Sequence, residues 1–97
     1  MKVRRLDITQ DAENDLDGIF SFIARDKPVA ALHFVQRLRR RCLPLTKNPF
    51  VGEDCSEFGP GMRRLSYQSY LIFFRIDDDA VTILRVAHGA RDLTELF

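Results

Sequence analysis

Three apolar segments, Met62–Tyr67, Tyr70–Ile76 and Ala80–Ala87, follow one another with only Gln68-Ser69 and Asp77-Asp78-Asp79 between them. A crossover between parallel strands needs about a dozen residues or more. Such short links therefore force an antiparallel meander. What precedes it has a different period. Ala12, Leu16, Ile19, Phe20 and Ile23 recur at helical spacing, and Thr9 stands before them as an N-cap with acids in the first turn. This helix is expected to run to about Arg25. Asp26-Lys27-Pro28 breaks it and restarts at once, with Pro28 suited to a first helical position. Ala31, Phe34, Val35, Leu38, Cys42 and Leu45 form the stripe of a second helix that ends before Asn48-Pro49. So short a link makes the two helices an antiparallel hairpin. Val3–Ile8 reads as an opening strand, and Pro49–Gly61 as a loop bounded by Pro and Gly. The expected architecture is α+β, in the order β-α-α-β-β-β, with a helical hairpin on one face of a small antiparallel sheet.

At 97 residues the chain has room for one domain, spanning 1–97. The apolar fraction is 45% and the charged fraction 30%, which excludes a disordered or low-complexity chain. The longest apolar run, Tyr70–Phe74, is too short for a bilayer, and the charged start offers no secretory signal. Two cysteines make neither a disulfide framework nor a metal cluster. A cytoplasmic protein with reduced thiols, no membrane partner, no metal and no cofactor is expected.

The net charge of +1 conceals a segregation. Asp7, Asp11, Glu13, Asp15 and Asp17 form a stretch without a base, and Arg37, Arg39, Arg40, Arg41 and Lys47 one without an acid. The basic run fits a nucleic-acid patch. It equally fits pairing with the acidic stretch across the hairpin. The near-neutral total favours pairing over general polyanion binding.

The strands lack the alternation of a sheet covered on one side. Ile72, Phe74 and Ile76 line one face of the central strand, and Leu71 and Phe73 the other. In the last strand, alternation sets Leu84 and Val86 against Val81 and Ile83. Two helices cannot cover both faces. One face is therefore expected to be open and partly apolar, rimmed by Arg75 and Arg85, and such a surface marks a partner site. A homodimer over that face, or a curled sheet, would also hide it.

The chemistry is sparse. No Gly-x-Ser-x-Gly elbow, phosphate-binding glycine loop or metal-ligand spacing is present, and Cys42 reads as a small core residue. RNA cleavage would need a base, an acid and cations for the phosphate. Arg63, Arg85 and Arg91 could supply charge, and His88 or Glu57 proton transfer. His88 equally fits a strand-end residue bonded to nearby backbone.

Over its whole length the chain resembles the ParE branch of the RelE/ParE superfamily of bacterial toxins. The resemblance is carried by Ala12-Glu13-Asn14-Asp15-Leu16-Asp17-Gly18-Ile19, by Asn48-Pro49-Phe50-Val51-Gly52, and by Gly61-Met62-Arg63-Arg64-Leu65 followed by Tyr70-Leu71-Ile72-Phe73-Phe74-Arg75. Ile83-Leu84-Arg85-Val86-Ala87-His88-Gly89-Ala90-Arg91-Asp92 completes it. It implies the toxin of a type II toxin–antitoxin pair, neutralised by a ParD-like antitoxin whose disordered C-terminal part folds on it.

Members of the superfamily either cut messenger RNA on the ribosome, like RelE, or poison DNA gyrase, like ParE. The RNA-cleaving members commonly carry Arg where this chain has Leu71, and a late Tyr or His absent here after His88. The resemblance therefore implies a non-enzymatic gyrase poison. Arg63, Arg85, His88 and Arg91 would meet the target, with Asp92 orienting Arg91. Phe20, Phe34, Leu71, Phe73, Arg75 and Ile83 would meet the antitoxin. No sequence-specific DNA binding by the toxin alone is implied. The alternatives are a ribosome-dependent endoribonuclease using His88, Arg63 and Arg85, and a toxin-like binding module without toxicity.

Overall fold

The computed structural model describes residues 2–97. Strand β1 covers Arg5–Ile8, helix α1 Gln10–Ala24 and helix α2 Pro28–Cys42. Thr9 joins the first two. Its Oγ1 accepts from the Ala12 amide at 3.1 Å and donates to the Leu84 carbonyl at 2.9 Å. The cap thus starts α1 and also pins it to the far end of the chain. Pro28 opens α2 at its first turn, as its fixed φ favours. Pro44 has no amide to continue the ladder, and the helix tightens into a 3₁₀ turn, Leu43–Thr46.

The segment expected to be loop is built of short pieces. A 3₁₀ turn at Pro49–Val51 leads into a two-residue strand β2, Glu53–Asp54, and a second turn follows at Ser56–Phe58. Strands β3 (Met62–Tyr67), β4 (Tyr70–Ile76) and β5 (Ala80–His88) then form the expected meander. The sheet order is β1-β5-β4-β3-β2. Strand β1 runs parallel to β5, so the sheet is mixed rather than wholly antiparallel. Short links fix only the directions within the meander. The long path from β1 through the helices leaves its direction to packing.

The helical hairpin covers one face. Leu16, Ile19, Leu38 and Leu45 meet Ile72, Phe74, Val81, Ile83 and Val86 there in one buried cluster. Strict alternation would separate Val81 and Ile83 from Val86. A register shift between Phe73 and Phe74 leaves Leu84 as an extra residue in β5 and returns Val86 to the helix side.

The opposite face is not open. The chain after β5 folds back over it as a 3₁₀ turn, Leu93–Leu96. Leu96 joins Cys55, Met62, Phe73 and Ala87 in a second buried cluster, with Phe58, Leu71, Leu84 and Leu93 packed against it. The Phe97 ring lies 5.2 Å from that of Phe73 and 5.7 Å from that of Phe58. The expectation of an uncovered apolar face failed because the nine residues after β5 and the turn carrying Cys55 and Phe58 close it together.

Candidate functional site

Two charge pairs build the framework of the site. Asp15 is on the buried margin of α1, one position before Leu16, and its carboxylate accepts from Arg85 Nε and Nη2 at 2.8 and 2.9 Å. The same carboxylate accepts from the Val86 amide at 2.9 Å, just past the bulge that disturbs the β5 ladder. It thereby locks α1 onto β5. Arg39 of α2 donates to both Glu13 oxygens at 2.7 and 3.1 Å. Each pair holds the Arg guanidinium more firmly protonated, and the Arg39 hydrogen bond pulls the Glu13 carboxyl below its ordinary range. The segregated charges of the sequence thus pair in part across the hairpin, through Arg39.

A cleft of about 300 Å³ opens between α1 and the end of β5. Asn14, Gly18 and Phe22 form one side, and Tyr70, His88 and Arg91 the other. The His88 ring stands edge-on to Tyr70 at 5.2 Å, and its Nδ1 accepts from the Ala90 amide at 3.1 Å. That bond is the strand-end role the sequence allowed for this histidine. It also places the donor-capable Nε2 as the free nitrogen. Arg91 is exposed, and its amide bonds the His88 carbonyl at 3.0 Å. The Asp92 carboxylate accepts from the Thr94 amide and hydroxyl at 3.1 and 2.7 Å, which keeps it below the usual carboxylate range. It caps the tail turn, where the sequence reading gave it the task of orienting Arg91.

The remaining expected residues are dispersed. Arg63 turns away from this cleft, donating to the Gly52 and Phe50 carbonyls and lying over the Phe50 ring. Phe20 and Arg75 are exposed, while Phe34 is half-buried with Tyr67 and Tyr70 and Leu71 is half-buried on the tail side. Phe73 and Ile83 are fully buried, one in each core, and as the chain stands neither reaches its surface. Cys42 is a core residue, its thiol bonded to the Leu38 carbonyl and pushed by burial up to about 11. Among the described residues no group of three His, Cys, Asp or Glu could hold a metal ion. No helix there is long and apolar enough to cross a membrane.

Sequence reasoning missed Asp15 as the centre of the framework. The signal was present: Ala12, Asp15, Leu16 and Ile19 share the i, i+3, i+4, i+7 spacing of one helix face. An acid in that set must find a partner when buried. Phe22 was also missed, and its 65% exposure marks the rim of the cleft.

A sequence model described as ParE toxin of type II toxin–antitoxin system, parDE, matches residues 6–93. The chain belongs to the ParE toxin family. Toxin ParE3 of Caulobacter vibrioides is 28% identical over 89 residues, which cover 88% of this chain and 86% of that protein. Toxin ParE1 of Mycobacterium tuberculosis is 30% identical over 64 residues, 65% of each chain. Among solved structures, one of a chromosomal ParDE system from P. aeruginosa superimposes with a TM-score of 0.78 at 27% identity, covering 89% of this chain and 96% of that one. The toxin–antitoxin complex RelBE2 from M. tuberculosis gives 0.70 at 24% identity, covering 94% and 97%. A mutant of E. coli toxin RelE in the free state gives 0.67 at 13%, covering 97% and 90%. The last two show the shared fold. The two-helix, mixed-sheet architecture is therefore that of the RelE/ParE toxins.

Proposed function

We propose that this toxin poisons DNA gyrase, without catalysing a reaction itself, and is held inactive by a ParD-like antitoxin. The observation that carries this reading over RNA cleavage is how the arginines are used. Arg85 is held by Asp15 and Arg63 by the carbonyls of its neighbouring loop. A phosphate clamp built on them would first have to break those bonds. Leu71, beside Tyr70, adds no charge. The residues left facing solvent together are His88 and Arg91 at the cleft. In this reading they meet the target, Arg85 holds the α1–β5 surface that presents them, Arg63 holds the loop at Phe50 and Gly52, and Asp92 closes the turn after Arg91.

The antitoxin reading draws on the ParDE and RelBE2 assemblies named above. Phe20, Phe34, Leu71 and Arg75 are the candidate contacts that keep some exposure. Phe73 and Ile83 would support that surface from beneath. Purified gyrase with relaxed plasmid tests the reading. The wild-type chain is expected to accumulate cleaved DNA, and Arg91→Ala to weaken that effect several-fold while still binding the antitoxin. A fully active Arg91→Ala removes its role. Messenger RNA cleavage on ribosomes, abolished by His88→Ala, would replace the gyrase reading with the endoribonuclease one.

A further inference from the structure

From Lys27 to Gly52 the chain contains no acid. This stretch is α2 and its 3₁₀ extension. Of the five bases between Arg37 and Lys47, Arg39 alone carries an ion pair among the described residues. Arg37, Arg40, Arg41 and Lys47 are all exposed. Two of them are fixed against aromatic rings. The Arg37 guanidinium lies 6.0 Å from the Phe34 centroid and bonds the Tyr67 hydroxyl, and that of Arg41 lies 5.9 Å from the Tyr67 centroid. Such contacts hold the charge in place and lower the entropy lost when it binds.

We propose that this face of α2 docks on the phosphate backbone of duplex DNA, without reading its sequence. Arg37 and Arg41 stand one turn apart on α2, Arg40 lies beside Arg41, and Lys47 follows the 3₁₀ turn. A turn rises roughly 5.4 Å, against about 3.4 Å per phosphate step on one strand. One turn therefore spans between one and two phosphates. Val29 and Leu32 of α2 lie two turns or more from Arg40, while Leu43 is exposed beside Arg40 and Lys47, where a cleft of about 530 Å³ opens over Pro44. Leu43 is the one large exposed apolar side chain among the four cations, which favours a polyanion over an amphipathic acidic helix, whose apolar stripe needs several anchors. Single strands are bound largely by stacking bases on free aromatic faces. Here the rings of Phe34 and Tyr67 are half-buried and face guanidinium groups, which favours a duplex. The net charge of +1 averages over the whole chain, whereas residues 27–52 carry six bases and no acid. The proposal stands independently of the gyrase reading. If both hold, this face would grip DNA while the His88–Arg91 cleft meets protein.

The test is fluorescence anisotropy of a labelled duplex of arbitrary sequence, titrated with the purified full chain from 50 to 200 mM salt. Neutralising four phosphates predicts a log–log salt slope of about −3.6. Arg40→Ala/Arg41→Ala is expected to reduce that slope by about two, and Arg25→Ala/Lys27→Ala, at the other end of the hairpin, to leave it unchanged. Circular dichroism checks that both variants fold. Absence of salt-dependent binding overturns the proposal, as does equal loss in both variants. Tighter binding to a single strand of equal charge overturns the duplex. Binding of a polyglutamate peptide in place of DNA would assign the face to an acidic protein instead.

Discussion

Replacing Asp15 by alanine should be among the most damaging single changes on the surface of this fold. The carboxylate is 11% exposed and the Arg85 side chain 22%, so the pair lies well out of bulk solvent. Asp15→Ala removes three hydrogen bonds at once. It leaves the Val86 amide unpaired beside a bulge and the Arg85 cation without its counter-charge. A stranded amide costs about 1–3 kcal/mol, and breaking a buried ion pair about 3–5 kcal/mol. Partial exposure lets water reach the freed guanidinium, so the sum is nearer about 3 kcal/mol. For a domain of this size that lowers Tm by roughly 12–24 °C. Urea unfolding of Asp15→Ala, Arg85→Ala and the double variant gives the coupling directly, expected at about 1.5–3 kcal/mol. Glu13→Ala is the control, since its pair with Arg39 is more exposed, at 35% and 41%, and should cost about 1 kcal/mol or less. An Asp15→Ala cost no larger than that of Glu13→Ala would refute the assignment of Asp15 as the lock between α1 and β5.

Other substitutions probe the rest of the framework. An added Cβ at Gly52 would lie 2.6 Å from the Phe74 ring, which is fully buried and cannot retreat, so Gly52→Ala should cost about 1–3 kcal/mol or more in urea unfolding. Leu96→Ala should loosen the tail for about 2 kcal/mol and raise binding of a hydrophobic dye, because Phe73 and Met62 lie beneath it. The Glu13 carboxyl is held below its ordinary value of 4.5 by Arg39. Its contribution is therefore complete above that value and fades as pH falls through the lower folded one. Glu13→Gln should flatten that part of the acid limb below about pH 5, read as urea midpoints against pH.

The parts of the fold legible in the sequence are those fixed locally. The Thr9 cap, the Pro28 restart and the two-residue and three-residue turns each dictate an element or a direction by themselves. The direction of β1 and the bulge at Leu84 were not legible, because both arise where distant segments meet. One sheet face was read as open, yet Leu93, Leu96 and Phe97 of the tail close it together with Cys55 and Phe58. That misreading also carried Phe73 to the surface as a contact residue. His88 and Arg91, singled out by residue type and by the resemblance, both line the cleft. Helix spacing turns Asp15 inward, but its partner Arg85, seventy residues away, and the carbonyls that hold Arg63, eleven and thirteen residues away, are not revealed by spacing along one helix or strand.

Pulse labelling after inducing the toxin without its antitoxin in a bacterial host tests the central claim most directly. Thymidine and methionine incorporation are followed over the first minutes. The account predicts early loss of thymidine incorporation while protein synthesis continues, with Arg91→Ala slowing that loss. Early loss of methionine incorporation with DNA synthesis intact would contradict it and point to cleavage of messenger RNA.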